Sequence, residues 1–140
     1  MGYSPLEYAK NFPYRANLVE RIKSMKEDNY IEFIKDAGGC IVSKNIVDGK
    51  GNLKWLLREE PVDEVDNGWR FLSDIDDDDY INNPDNLLVC DFNTVANIEP
   101  AILGIYLLPV GSDLQLVVQN GKISFFDNLT ETEIEPFYGS

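Results

Sequence analysis

Histidine is absent from this chain of 140 residues, and cysteine occurs only twice. Without histidine there is no Ser-His-Asp or Cys-His nucleophile pair and no histidine-ligated zinc site. Acid–base chemistry would fall to carboxylates, lysine or tyrosine. Cys40 and Cys90 stand far apart in apolar contexts, too few for a four-thiolate site, and read as buried core thiols. Nothing around them favours a disulfide. Long hydrophobic runs are lacking too: the longest, at residues 101–110, contains Gly104 and Pro109 and is too short to span a bilayer. The opening Met-Gly-Tyr-Ser-Pro has no basic region followed by an apolar stretch, so the expectation is a cytoplasmic protein without a signal peptide.

Positive charge is scarce, and scarcest where negative charge is densest. The chain has 12 basic and 25 acidic side chains, a net −13. Residues 1–58 carry ten cations and seven acids (10 − 7 = +3); residues 59–140 carry Arg70 and Lys122 against eighteen acids (2 − 18 = −16). Such a chain is repelled by phosphate backbones and by anionic membrane surfaces, which excludes general nucleic-acid or membrane binding as the expected role. The hydrophobic fraction of 44% is that of a globular protein, and the length suffices for a core without metals or disulfides.

The apolar pattern changes period along the chain. Residues 15–27 read as a helix with Leu18, Ile22 and Met25 on one side. A second short helix is expected from an Asn29 N-cap with Glu32 three places on, carrying Tyr30, Phe33, Ile34 and Ala37 inward, and stopped by Gly38-Gly39. From Cys40 the pattern is β-type. Strands are expected at residues 40–43, at 53–58 with Leu53, Trp55 and Leu57 on one face, and at 69–72 behind an Asn67-Gly68 turn. A further strand at 87–92 is apolar enough to be central, and Pro100 and Pro109 bracket a helix of about two turns. Leu114, Leu116 and Val118 then alternate with polar residues up to Asn120-Gly121, a two-residue type I′ hairpin turn into residues 123–126. The fold expected is α+β: an antiparallel or mixed sheet of about five or six strands, with N-terminal helices and one short inserted helix. Residues 1–37 read as a helical extension, 38–127 as the α+β domain, and 128–140 as a polar tail prone to fraying.

The acidic run at 74–80 is the first candidate for chemistry. Asp74, Asp76 and Asp78 match positions 1, 3 and 5 of a calcium loop, but Asp79 stands where the sharp turn needs glycine and Asp85 where a bidentate Glu is required. A short helical turn capped by Ser73 or Asp74, with Tyr80 and Ile81 as its apolar contacts, accounts for the run better. Paired carboxylates would serve a hydrolase, yet Glu59, Glu60 and the aspartates single out no pair. No phosphate-cradling loop, metal-ligand set or cofactor signature is present. Between Glu59 and Asp79 there are ten carboxylates and one cation, Arg70, interleaved with Trp69, Phe71 and Tyr80. That composition suits a docking surface: negative potential raises the on-rate of a basic partner and aromatic side chains supply affinity.

Several of these residues resemble a bacterial family. The stretch Gly-Cys-Ile-Val-Ser-Lys at 39–44, Trp55, Arg-Glu-Glu-Pro at 58–61, Asp-Asn-Gly-Trp-Arg-Phe-Leu-Ser at 66–73 with its acidic continuation to Tyr80-Ile81, and Pro-Asp-Asn at 84–86 look like the immunity proteins of polymorphic toxin systems. The likeness runs from about Gly38 to about Leu116; where the family typically has Ser-Gly before the acids, this chain has Ser73-Asp74. The resemblance implies a non-enzymatic protein that binds a toxin, often a basic nuclease. The residues expected to meet it are Glu59, Glu60, Trp69, Arg70, Asp74, Asp76, Asp77, Asp78, Asp79 and Tyr80. The other reading of the same carboxylates is a small hydrolase or a weak calcium binder.

Overall fold

The computed structural model describes residues 30–138. The helix expected at 15–27 lies outside them. Seven strands form one sheet in the order β4-β1-β3-β2-β5-β6-β7. They are β1 (Gly39–Ser43), β2 (Leu53–Arg58), β3 (Asp66–Ser73), β4 (Leu87–Asp91), β5 (Asp113–Gln119), β6 (Lys122–Asp127) and β7 (Thr132–Ile134). Strands β1 and β3 run parallel and the other pairings are antiparallel, so the sheet is mixed, as α+β allows. Three short helices join the strands: α1 (Lys44–Val47), α2 (Asp78–Asn82) and α3 (Phe92–Ile98), with 3-10 turns at Pro84–Asn86 and Pro100–Ile105.

Strand β1 lies between β4 and β3. All five of its residues are buried, the near-continuous apolar run of a strand covered on both faces. Strand β4, expected to be central, lies at the sheet's edge among the described residues. One face of the sheet packs on α1, α3 and the Pro100–Ile105 turn. Val42, Leu56, Trp69, Phe71, Leu114 and Phe125 meet Ile46, Phe92, Val95, Ile102 and Ile105 there. Aromatic rings run through this core: Trp69 stacks with Phe71 at 6.1 Å, Phe71 lies 5.9 Å from Phe92, and Phe92 meets Tyr106 edge-on at 4.7 Å.

Two bulges change what alternation alone predicts. The β2–β3 register shifts by one residue between Leu53 and Trp55. A one-residue slip reverses the faces, so Leu53 and Leu56 are buried while Trp55 and Leu57 are only half-buried. Asn67-Gly68 is not a turn between strands but lies within β3, where the register against β1 gains two residues between the Gly39–Asp66 and Ile41–Arg70 pairs. Gly68 sits at φ +92°, and a Cβ there would come 2.2 Å from the Glu59 carbonyl oxygen, so only glycine fits.

The helix expected from Asn29 to Ala37 is a correction: Asn29 is outside the described residues, and residues 30–37 form no helix but an extended stretch and a turn, with Asp36 at φ +54°. Tertiary contacts override the capping signal. The side-chain amide of Asn97 bonds both the N–H and the carbonyl of Ile31 (3.0 and 2.9 Å), and Asn93 does the same for Ile34 (3.0 and 2.8 Å). One helical turn apart on α3, these two amides stand in for a neighbouring strand.

The hairpin is as expected, with Asn120 and Gly121 both at positive φ between β5 and β6. Within the polar segment after it, β7 adds to β6, and beyond it the Phe137 N–H bonds the Gly104 carbonyl at 2.8 Å. A Cβ at Gly104 would lie 2.7 Å from Pro136 and 2.8 Å from the Tyr138 ring, which explains that glycine. Asn93→Ala would leave the Ile34 amide groups without partners and is expected to lower stability by about 1–3 kcal/mol. A denaturant titration with an unchanged slope and a lower midpoint checks it.

Candidate functional site

Strand β3 joins the residues singled out by sequence, and it also separates them. Glu59, Glu60, Asp63, Glu64 and Asp66 lie at its start, Asp74 and Asp76–Asp79 beyond its end. Eight strand residues, two of them taken up by the bulge, put roughly 20 Å between the two groups at about 3.3 Å per residue. The ten carboxylates therefore form two acidic ends, not one continuous face.

Trp69 and Arg70 are 0% and 6% exposed and offer no surface to a partner in this state. Trp69 points into the aromatic core, donates its indole N–H to the Tyr106 carbonyl (3.2 Å), and is covered by the Arg58 guanidinium 5.7 Å from its ring centroid. Arg70 points to the opposite face of the sheet. It forms a bidentate pair with Asp66 (both contacts 2.9 Å) and a further bond to Glu59 (2.9 Å). Asp66 also accepts the N–H groups of Val62 and Gly68. Burial acts to raise the Asp66 pKa, but Arg70 and those two amides outweigh it and hold the carboxylate below its usual range. The Gly-Trp-Arg-Phe signature thus builds the fold and pins the 59–65 loop.

At the far end, the aspartates divide into those that build and those that do not. Asp74 accepts the backbone and side-chain N–H of Asn52 (2.9 and 3.4 Å). Asp76 ties the β3 end to α1, accepting from Asn45 Nδ2 (2.8 Å) and the Ser73 N–H (2.6 Å). Asp77, not Ser73 or Asp74, caps α2 through the Tyr80 N–H. The Tyr80 hydroxyl faces Ser43 and the Asn45 backbone; burial and then the charge of Asp76 raise its pKa, so it stays protonated. Asp78 and Asp79 are exposed in the first turn of α2 and make no structural bond among the described residues. Glu60 and Glu64 are their counterparts at the other end.

Asp74, Asp76 and Asp78 do not converge on one point, and no group of three or more Asp, Glu or Cys side chains among the described residues is placed to hold a metal ion. Sequence reasoning missed Lys44. It is buried beside Asp85 and Asp48; burial lowers its pKa, and the two carboxylates act against that. A lysine following a strand of apolar residues gave the only hint. Cys40 and Cys90 are directly paired across β1 and β4 as buried free thiols, with burial raising the Cys40 pKa well above its usual value, which makes it a poor nucleophile. No helix among the described residues is long and apolar enough to cross a membrane.

Fold and surface together define a small α+β protein with acidic loops at both ends of one mixed sheet. The family model described as the immunity protein Imm33 domain matches residues 40–126, more than half of the chain, and the chain belongs to that family of immunity proteins. The resemblance carried by the 39–86 motifs is borne out. Neither a curated protein nor a solved structure matches the chain.

Arg70→Met would leave Asp66 buried without its cation and is expected to cost about 3–5 kcal/mol. The gap between wild type and variant should shrink as pH falls. A carboxylate with a depressed folded-state pKa stabilises fully above its unfolded value of about 3.9 and loses that contribution as pH drops through the folded value. In the variant, protonating the unpaired Asp66 relieves it. Paired thermal melts between neutral pH and about pH 3 measure the difference.

Proposed function

We propose that this chain neutralises a toxin by binding it, performing no chemistry of its own, in the cytoplasm, and that the partner is a basic protein of the nuclease type. Membership of the Imm33 immunity family supports the toxin-binding role. The charge supports the partner's sign: a net −13, with −16 carried by residues 59–140. Nuclease toxins grip phosphates and are positively charged, so a dense negative potential attracts them.

Of the two acidic ends, the one at Asp74–Asp79 is the better docking surface. At the other end, Arg70 pairs with both Asp66 and Glu59 and offsets one of the negative charges there. The run has no ion pair among the described residues, and Asp77, Asp78 and Asp79 are exposed together on α2. The observation that carries the proposal is that Asp78 and Asp79 make no side-chain bond among the described residues yet stand exposed within a run of five aspartates. Tyr80, Glu59 and Glu60 are secondary contributors on this reading. Trp69 and Arg70 act by shaping the strand that separates the two ends.

Asp78→Lys/Asp79→Lys is expected to slow association with the toxin captured on the full chain by about tenfold or more at low salt, and by much less at high salt. The melting temperature should be unchanged. Surface plasmon resonance across a salt series measures it; an association rate insensitive to both the variant and the salt would falsify the electrostatic reading.

A further inference from the structure

A groove of about 470 Å³ opens on the helix-packed side of the sheet, between the turn after α1, the end of α3 and the far part of β5. Its volume lies within the range of roughly 300–1,000 Å³ usual for ligand clefts. Buried Ile46, Leu53 and Leu116 line it, joined by Ile98 and Val118, which are 39% and 61% exposed. Both belong to the groove's wall, where a bound segment would take them out of water.

The charged side chains in the lining are Asp74, Glu99 and Lys54. Both carboxylates are held in place: Asp74 by Asn52, Glu99 by the Ala101 N–H that it caps at 3.2 Å. The Lys54 ammonium lies over the Trp55 ring, 5.5 Å from its centroid. Asp74 is also the first residue of the acidic run, so the groove and the run share that carboxylate. The lining mixes apolar and polar side chains, and its two carboxylates against one ammonium leave the rim negative by one charge. A neutral or acidic segment would strip water from Asp74 and Glu99 without supplying a counter-charge. A second copy of this chain brings another net −13 with it.

We infer that the groove receives an extended segment of the toxin in which aliphatic and cationic side chains alternate. This rests on the toxin-binding reading above and specifies where the partner's chain lies. The aliphatic side chains cover Ile98 and Val118, and the lysine or arginine side chains reach Asp74, Glu99 and the start of the acidic run. Long basic side chains suit both parts, since their stems pack on apolar surface while their heads stay at the rim.

The test titrates the full, isotope-labelled chain with the synthetic peptide acetyl-Lys-Leu-Arg-Leu-Lys-amide and follows the backbone amides by NMR. Saturable shifts are expected at Gly49, Gly51, Asn52, Leu116 and Val118, with affinity about tenfold above that of acetyl-Gln-Leu-Gln-Leu-Gln-amide. Val118→Arg, at an exposed position, is expected to abolish those shifts without lowering the melting temperature. Equal affinity for the two peptides, or the absence of saturable shifts at those amides, would overturn the inference. So would shifts of the same amides with protein concentration alone, which would assign the groove to a second copy. Shifts confined to residues 77–79 would overturn the groove and leave the electrostatic attraction standing. Full-strength toxin binding by Val118→Arg, alongside loss in Asp78→Lys/Asp79→Lys, would separate the two in the same way.

Discussion

A buried guanidinium on a strand covered on both sides is the constraint on which the rest of the molecule turns. Strand β3 sends Trp69 and Phe71 to one face, where rings fill the core, and Arg70 to the other, where it is 6% exposed. A cation there is tolerable only with its hydrogen bonds and charge satisfied. Asp66, four residues earlier, answers with both oxygens, and its lone pairs also hold Val62 and Gly68. To bring Asp66 beneath Arg70 on the same strand, β3 must take up two extra residues against β1. Asn67 and Gly68 supply them, and Gly68 needs a positive φ against the Glu59 carbonyl. The pair, the bulge and the glycine are one device.

Alternation and turn chemistry made the hairpin, the β-type period after Cys40 and the apolar core of β3 legible, because those signals are local. What sequence alone did not reveal was set by contacts across the chain. The bulge at Lys54 reverses the faces of Trp55 and Leu57, and no periodicity shows where a strand gains a residue. Asn67-Gly68 has the composition of a tight turn, but composition cannot distinguish a turn from a bulge, since both require positive φ. The segment 30–37 carries a helix-start signal worth about 1 kcal/mol, and four bonds from Asn93 and Asn97 are enough to hold it extended. Those asparagines lie some sixty residues away in sequence.

Charge was legible in amount but not in place. Ten carboxylates within twenty-one residues read as one face, yet the strand between them divides them. A signal for sorting them was available. Aspartate side chains favour bonds to backbone N–H groups two or three residues on, and Asp63, Asp66 and Asp77 all do this. Removing such residues from the tally, together with those paired to Arg70, leaves six of the ten, and setting aside Asp74 and Asp76, which are bonded across the chain, leaves four whose only evident asset is charge. Asp78 and Asp79 are among them.

On the proposed reading, the acidic corner and the groove next to it would act on different rate constants. Exposed carboxylates are screened beyond about 8–10 Å at ordinary ionic strength, so they hasten encounter and orient the partner but contribute little to how long it stays. Residence depends on apolar surface taken out of water, and on the proposed reading the groove beside Asp74 would supply it through Ile98 and Val118. An immunity protein must intercept its toxin before the toxin acts, and must then hold it. On the proposed reading, Asp78 and Asp79 would serve capture and Ile98 and Val118 would serve retention, with Asp74 shared between the two, so the demands fall largely, though not wholly, on separate residues.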